Sequence, residues 1–262
     1  MKMSVVIPAR NEAGNIGGFV ERLRVRFDRA AIDYEIVVVD DGSTDGTAAE
    51  ARAAGRGGPR VRVVSNTGRH GFGYAVRYGL DRFTGDAVAV MMADGSDDPD
   101  DAVRYFEILK DRAECAFGSR FMPGSRLENY PRLKLVINRV ANLFIRVLFN
   151  IRYNDVTNAF KAYRAYVVDG CRPLVSPHFN LTVELPLKAI VRGYSYEVVP
   201  IGWRTRERGL SHLGLREMGS RYLFIVLYVW LEKVLTRGDY RRATPAAPEQ
   251  WPVRKPPPVL DP

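Results

Sequence analysis

Short runs of β-branched residues alternate with longer amphipathic stretches through the first half of this chain, and that alternation constrains the fold more than any other feature. Residues 3–7, 34–39, 61–64, 87–91 and 115–117 read as strands. Residues 13–29, 44–54, 71–83 and 101–112 read as the helices between them, each long enough for a right-handed crossover. A doubly wound, mostly parallel sheet flanked by helices follows, because strands apolar on both faces need helical cover on both sides. In such sheets ligands sit beyond the carboxyl ends of the strands, so the loops after Val39 and Met91 are the expected seat of chemistry.

With 262 residues, 46% of them hydrophobic and 26% charged, the chain can bury one sizeable core and is neither disordered nor collagenous. The 39 Lys and Arg exceed the 30 Asp and Glu, a net charge of +9 that favours an anionic partner: nucleic acid, an acidic membrane surface or a phosphorylated ligand. Cys115 and Cys171 lie in separate segments without CxxC spacing, which argues against a disulfide framework or a thiolate zinc site and points to a reducing cytoplasm. The apolar run before Arg10 is too short for a signal peptide or a spanning helix. Seven of the 16 prolines fall in residues 241–262, so a disordered tail is expected there.

Strand two runs into Asp40-Asp41-Gly42-Ser43-Thr44. Two acids at the tip of a buried strand need donors or a cation, since an unpaired buried charge costs roughly several kcal/mol. The base N–H groups and ribose hydroxyls of a nucleoside would supply them, with Gly42 allowing close approach; a helix N-cap with a spare surface acid is the plainer alternative. Strand four runs into Asp94-Gly95-Ser96-Asp97-Asp98-Pro99-Asp100-Asp101, five Asp in eight residues. Asp98, Asp100 and Asp101 surround a proline at a helix start, where acids meet the helix dipole. Asp94 and Asp97 are left for a hard cation, Mg²⁺ or Mn²⁺, which takes a few carboxylate oxygens together with phosphate.

These motifs stand in an order that resembles a known family. SVVIPARNE, EIVVVDDGSTDGT, NTGRHGFGYAVRYG, ADGSDDP, GSRFMPGS and DVTNAFKAYRA follow one another as in family 2 glycosyltransferases of the Rossmann-like GT-A fold, and look most like the dolichol- or polyprenol-phosphate mannosyltransferases. The resemblance implies inverting transfer of a sugar, mannose from GDP-mannose, onto a polyprenyl or dolichyl phosphate. It places Pro8, Arg10, Glu12 and Gly71 beside the nucleotide, Asp40 and Asp41 on base and ribose, and Arg120, Lys134, Asn138 and Arg139 around the acceptor phosphate. Arg206 matches an Arg-x-x-Gly-x-Ser pattern that closes over the donor diphosphate, and Asp94, Arg120 and Arg206 would be the catalytic set. The family's metal motif is Asp-any-Asp with a polar ligand two residues later; here Met92 replaces the first Asp, leaving Asp94 and Ser96, with Asp97 as a substitute ligand. A thioether is a poor ligand for a hard cation, so metal binding is where this chain departs from the pattern. His212 stands where Lys is frequent, and a surface histidine without special function is the better reading of it.

Residues 118–152 carry seven cations against the single acid Glu128. A helix beginning near Arg132 groups Lys134, Asn138, Arg139, Asn142 and Arg146 on one side and leaves a broad apolar face, suited either to the core or to a membrane interface whose phosphates meet the basic side. Residues 222–231 are ten apolar positions, half of what a bilayer span needs, so a buried or interfacial helix is expected. The expected organisation is a catalytic domain over 1–215, an apolar helix over 216–238 and a proline-rich tail over 239–262. It would be a peripheral enzyme on the cytoplasmic face of a membrane, with room for a separate membrane subunit.

An ionised phosphate is its own nucleophile and needs no strong base, so neither Asp155 nor Glu184 is forced into that role. The alternatives are the same fold acting with UDP-glucose or UDP-GlcNAc, or on a saccharide hydroxyl through Asp155 or Glu184 as base, and a nucleotide-sugar-binding protein impaired at Met92. Nucleic acid is disfavoured, because the acidic sheet edge would repel its backbone.

Overall fold

The computed structural model describes residues 1–128, 130–204, 215–242 and 251–252. Its centre is a seven-stranded sheet of β1 (Lys2–Ala9), β2 (Asp33–Asp40), β3 (Val61–Ser65), β4 (Ala87–Val90), β5 (Cys115–Ser119), β7 (Lys161–Arg164) and β8 (Tyr196–Pro200), in the order β3-β2-β1-β4-β7-β5-β8. All neighbours are parallel except β7, which runs antiparallel between β4 and β5. A small parallel pair, β6 (Arg126–Glu128) with β9 (Gly202–Arg204), stands apart.

Each strand face feeds a different core, as the two-residue period of a strand requires. Val5, Ile7, Ile36 and Val38 point to one layer, where α1 (Ile16–Arg29) contributes Ile16, Phe19, Val20, Leu23 and Phe27 at helical spacing and α4 (Pro99–Asp111) adds Tyr105, Ile108 and Leu109. Val6, Val37 and Val39 point to the other, against α3 (Phe72–Leu80), α6 (Ala165–Gly170), α7 (Leu181–Val191) and α8 (Leu215–Leu235). Gly79 of α3 lies so close to Val6 that a Cβ would approach its side chain to 2.4 Å, which fixes how tightly that helix seats.

The α/β alternation is as expected, with the largest shifts of a helix start, three residues each, at the first two helices. Helix α1 begins at Ile16 rather than at residue 13, because Glu12, Ala13 and Gly14 donate backbone N–H groups to Thr47, Asp45 and Glu50 side chains across the loop. Helix α2 (Thr47–Ala54) begins three residues later than residue 44, since the Thr44 N–H donates to Asn11 Oδ1 across the loop and Asp45 Oδ1 accepts the Thr47 N–H at the helix start.

Helix α5 (Arg132–Phe149) is amphipathic, but its apolar side faces outward: Leu133, Val136, Val140, Leu143 and Val147 are 57–74% exposed, while Asn142 is buried with Ile145 and Phe149. On α8, Ile225, Val226 and Val229 enter the core whereas Phe224, Leu231 and Leu235 stay exposed. Among the described residues no helix is long and apolar enough to cross a membrane. Near the end of the described chain Arg242 pairs with buried Glu114, and the Arg164 guanidinium lies over the buried Trp251 ring at 4.6 Å.

Candidate active site

Because β1, β2, β4 and β5 point the same way, their carboxyl ends share one sheet edge, which carries Pro8, Asp40, Asp94 and Arg120. Pro8 is buried opposite Val39, and Ala9 pairs with Asp40 in the strand register. Arg10 is exposed and Glu12 half-buried in the loop that follows. Asp40 is half-buried, and its Oδ1 accepts the Ser43 N–H at 3.0 Å.

Asp41, expected beside base or ribose, is engaged within the protein. It is buried, and its oxygens accept from Asn66 Nδ2 at 2.6 Å and the Gly71 N–H at 2.8 Å, with His70 Nδ1 at 3.2 Å. Asp41 and Gly71 therefore hold the loop of residues 66–71 beside the strand end. Gly42, at φ +76°, passes within 2.9 Å of the His70 ring as judged from an added Cβ, so only glycine suits that turn.

In the loop after β4, Asp94 Oδ1 accepts the Ser96 N–H at 3.1 Å and Asp97 Oδ2 accepts the Met92 N–H at 2.9 Å. Asp97 is 3% exposed, and burial, opposed by the Met92 bond and reinforced by Asp94, pushes its pKa up to about 7. Its carboxylate braces the loop from within, and Ser96 is buried beside it. Among the described residues no three His, Cys, Asp or Glu side chains converge on a metal position. Asp94 remains, and one carboxylate with donor phosphates matches the way Mg²⁺ is held in phosphoryl sites. Asp98 caps α4 by accepting the Asp100 N–H, and Asp101 accepts the Gly202 N–H at 2.9 Å, the structural duties expected of that acidic run.

Across the same edge Arg120 is 8% exposed. Its Nε and Nη2 donate to the two oxygens of Asp155 at 2.8 and 2.7 Å, and its backbone N–H donates to Oδ2 at 2.8 Å. Burial disfavours the charge, but the Asp155 carboxylate outweighs it and raises the guanidinium's pKa, so Arg120 is a permanent cation. Nη1 reaches the Tyr130 hydroxyl, which also receives Asn138 Nδ2. Lys134 lies 5.7 Å from the Tyr130 ring and Arg139 5.3 Å from Phe121, the ring that also faces Arg120. The four acceptor-side residues inferred from sequence therefore gather around Tyr130 and Phe121. Arg206 and His212 lie outside the described residues.

Both carboxylates weighed as bases are engaged within the protein. Asp155 is fully buried in its fork with Arg120, and Glu184 accepts the Val175 and Ser176 N–H groups while pairing with Lys188 at 2.9 Å. Sequence reasoning missed Lys161, whose buried ammonium donates to the Val156, Asn158 and Thr182 carbonyls and so ties the Asp155 loop to α7. Burial lowers its pKa to about 7, partly offset by Asp155. A lysine inside the apolar run of FKAY was the available signal.

Comparison with known proteins bears on the family and the fold. The family model described as "Glycosyl transferase family 2" matches residues 4–172. The chain is 34% identical over 215 residues to a polyprenol monophosphomannose synthase of Mycolicibacterium smegmatis, covering 80% of each. It is 36% identical to a dolichol-phosphate mannosyltransferase of Pyrococcus furiosus, covering 81% of this chain and 59% of that relative. Among solved structures, glucosyl-3-phosphoglycerate synthase of Mycobacterium tuberculosis, bound to Mn²⁺, UDP-glucose and phosphoglyceric acid, superposes with a TM-score of 0.67 at 20% identity over 88% of this chain and 79% of that one. With the motifs in order and this fold around them, the chain belongs to glycosyl transferase family 2 and is an inverting, nucleotide-sugar-dependent glycosyltransferase of the GT-A fold.

Proposed function

We propose that the enzyme transfers a hexose from a nucleotide sugar to a phosphate-bearing acceptor held by Arg120, Lys134, Asn138 and Arg139. The observation that carries this is the division of one sheet edge between an acidic donor side, Asp40 and Asp94, and a cationic acceptor side built on Arg120. An acceptor oxygen, already anionic on a phosphate or giving its proton to the departing diphosphate on a hydroxyl, attacks the anomeric carbon as that carbon's bond to the diphosphate breaks, and the nucleoside diphosphate leaves. Arg120, clamped by Asp155, orients the acceptor's phosphate without reorganising, which is the main contribution a fixed cation makes. A divalent ion beside Asp94 would neutralise charge on the leaving diphosphate. On this reading residues 1–215 form the catalytic unit, 216–238 an accessory apolar helix and 239–262 a tail.

Two acceptors fit. The UDP-glucose and phosphoglyceric acid bound by the solved neighbours favour a UDP-sugar with a small, non-lipid acceptor over the pairing of GDP-mannose with a polyprenyl phosphate. The lipid reading draws on the names of relatives 30–36% identical and on the outward apolar faces of α5 and α8, which would rest on the cytoplasmic surface of a membrane, alone or with a membrane subunit. The occupied state of both candidate bases suits an acceptor whose own phosphate attacks.

The test is a matrix of UDP-glucose, UDP-GlcNAc and GDP-mannose against phosphoglycerate and a detergent-dispersed polyprenyl phosphate, with Mn²⁺ or chelator and products weighed by mass spectrometry. A glycosylated phosphoglycerate selects the first acceptor and a glycosylated lipid phosphate the second. Absence of both products overturns the reading of a phosphate-bearing acceptor.

A further inference from the structure

Trp203 stands where the donor and acceptor sides of the site meet. Its backbone bridges antiparallel to Asp97 in the loop after β4, while β9 carries its ring to Tyr130, 4.8 Å away and inclined by 66°. Lys134 sits 5.7 and 5.8 Å from these two rings, and the Arg120 guanidinium lies 5.6 Å from the Tyr130 ring while its Nη1 donates to the hydroxyl. Both rings are half-buried, unlike the wholly buried Tyr105, Tyr153 and Tyr163 of the core. A partly open indole tied by backbone to the acidic loop and by side chain to the acceptor cations is poorly explained by packing alone.

We propose that Trp203, backed by Tyr130, is the wall against which the transferred sugar ring packs, and that it helps to select the hexose. This rests on the reading that a nucleotide-linked hexose crosses from the Asp94 side to the Arg120 side. The C–H groups on one face of a pyranose carry partial positive charge and meet the negative face of an aromatic ring, the geometry that also draws cations to such rings. Hexoses differing in the orientation of one hydroxyl present different C–H faces, so such a wall reads the sugar while leaving the nucleotide to other residues.

The experiment is a W230F/W251F variant in which Trp203 is the sole indole, titrated with UDP, UDP-glucose, GDP and GDP-mannose in Mn²⁺ while calorimetry follows binding. The expected result is a change in emission with a nucleotide sugar that its bare nucleoside diphosphate does not reproduce. A nucleotide sugar that binds calorimetrically with no change of emission, or with the change its diphosphate alone gives, overturns the proposal and leaves the glycosyltransferase reading intact. If calorimetry detects none of the four ligands, the reading of the donor side fails and this proposal falls with it. In the full chain, Trp203→Ala is expected to weaken binding of the nucleotide sugar about tenfold with the diphosphate unchanged, and Trp203→Phe to restore most of the loss. Equal weakening of both ligands would mark Trp203 as structural and overturn the proposal.

Discussion

At Arg120 the burial of a guanidinium and the ligand contact proposed for it pull against each other, and Asp155 reconciles them. The two-pronged contact leaves Nη1 toward Tyr130 and the open side of the site. Asp155→Asn would strand a buried cation, with an expected cost of about 3–5 kcal/mol in unfolding free energy and a fall in turnover of about 10²-fold, read by denaturant titration and initial rates. Asp97 behaves oppositely. Its folded pKa near 7 lies above the ordinary value of 3.8, so between those values the native state holds a proton that the unfolded chain has released. Its contribution is fully present below about pH 4 and is lost as pH rises through 7. Asp97→Asn keeps an acceptor for the Met92 N–H without the titration. Its melting temperature should gain on the wild type between pH 4 and 7, by about 3 °C or more, measured by scanning calorimetry at fixed ionic strength.

Helix α5 illustrates what an element's own sequence leaves open. Its periodicity specifies two faces, but which of them turns inward depends on residues far along the chain: buried Asn142 donates to Thr157 Oγ1 at 3.0 Å, and the apolar rows are left outside. The parallel strands and their helices were legible because each buries its own regular face. The four-residue β7 was not, since KAYR carries too short a pattern and becomes a strand only by pairing with β4 and β5. The placing of Asp40, Asp94 and Arg120 at one sheet edge was readable from the strands they follow. The diversion of Asp41 and Asp97 into loop bracing, and the placing of Tyr130 and Trp203 together, depend on hydrogen bonds and contacts that sequence spacing does not encode. If the outward face of α5 rests on lipid, Leu143→Asp with Val147→Asp should leave the melting temperature within about 2 °C, since both positions are exposed, and reduce co-sedimentation with anionic vesicles several-fold. Unchanged sedimentation would remove α5 from any membrane contact.

Across the whole molecule, distant segments close the structure. Glu114, at the start of the β5 region, receives the Ser195 N–H, the Tyr166 hydroxyl and, from near the end of the described chain, Arg242. Ending the chain after residue 240 should therefore lower the melting temperature by about 5 °C, checked by thermal unfolding of the shortened protein, even though this segment lies far from the sheet edge carrying Asp94. The antiparallel β7 has a similar reach. As the polypeptide leaves the ribosome, β4 is complete some seventy residues before the strand that will pair with it has been made, as the positions 90 and 161 show. Throughout that interval the side of Ala87–Val90 turned away from β1 lacks its ladder partner, an apolar edge that an unfinished neighbouring polypeptide could pair with before β7 arrives.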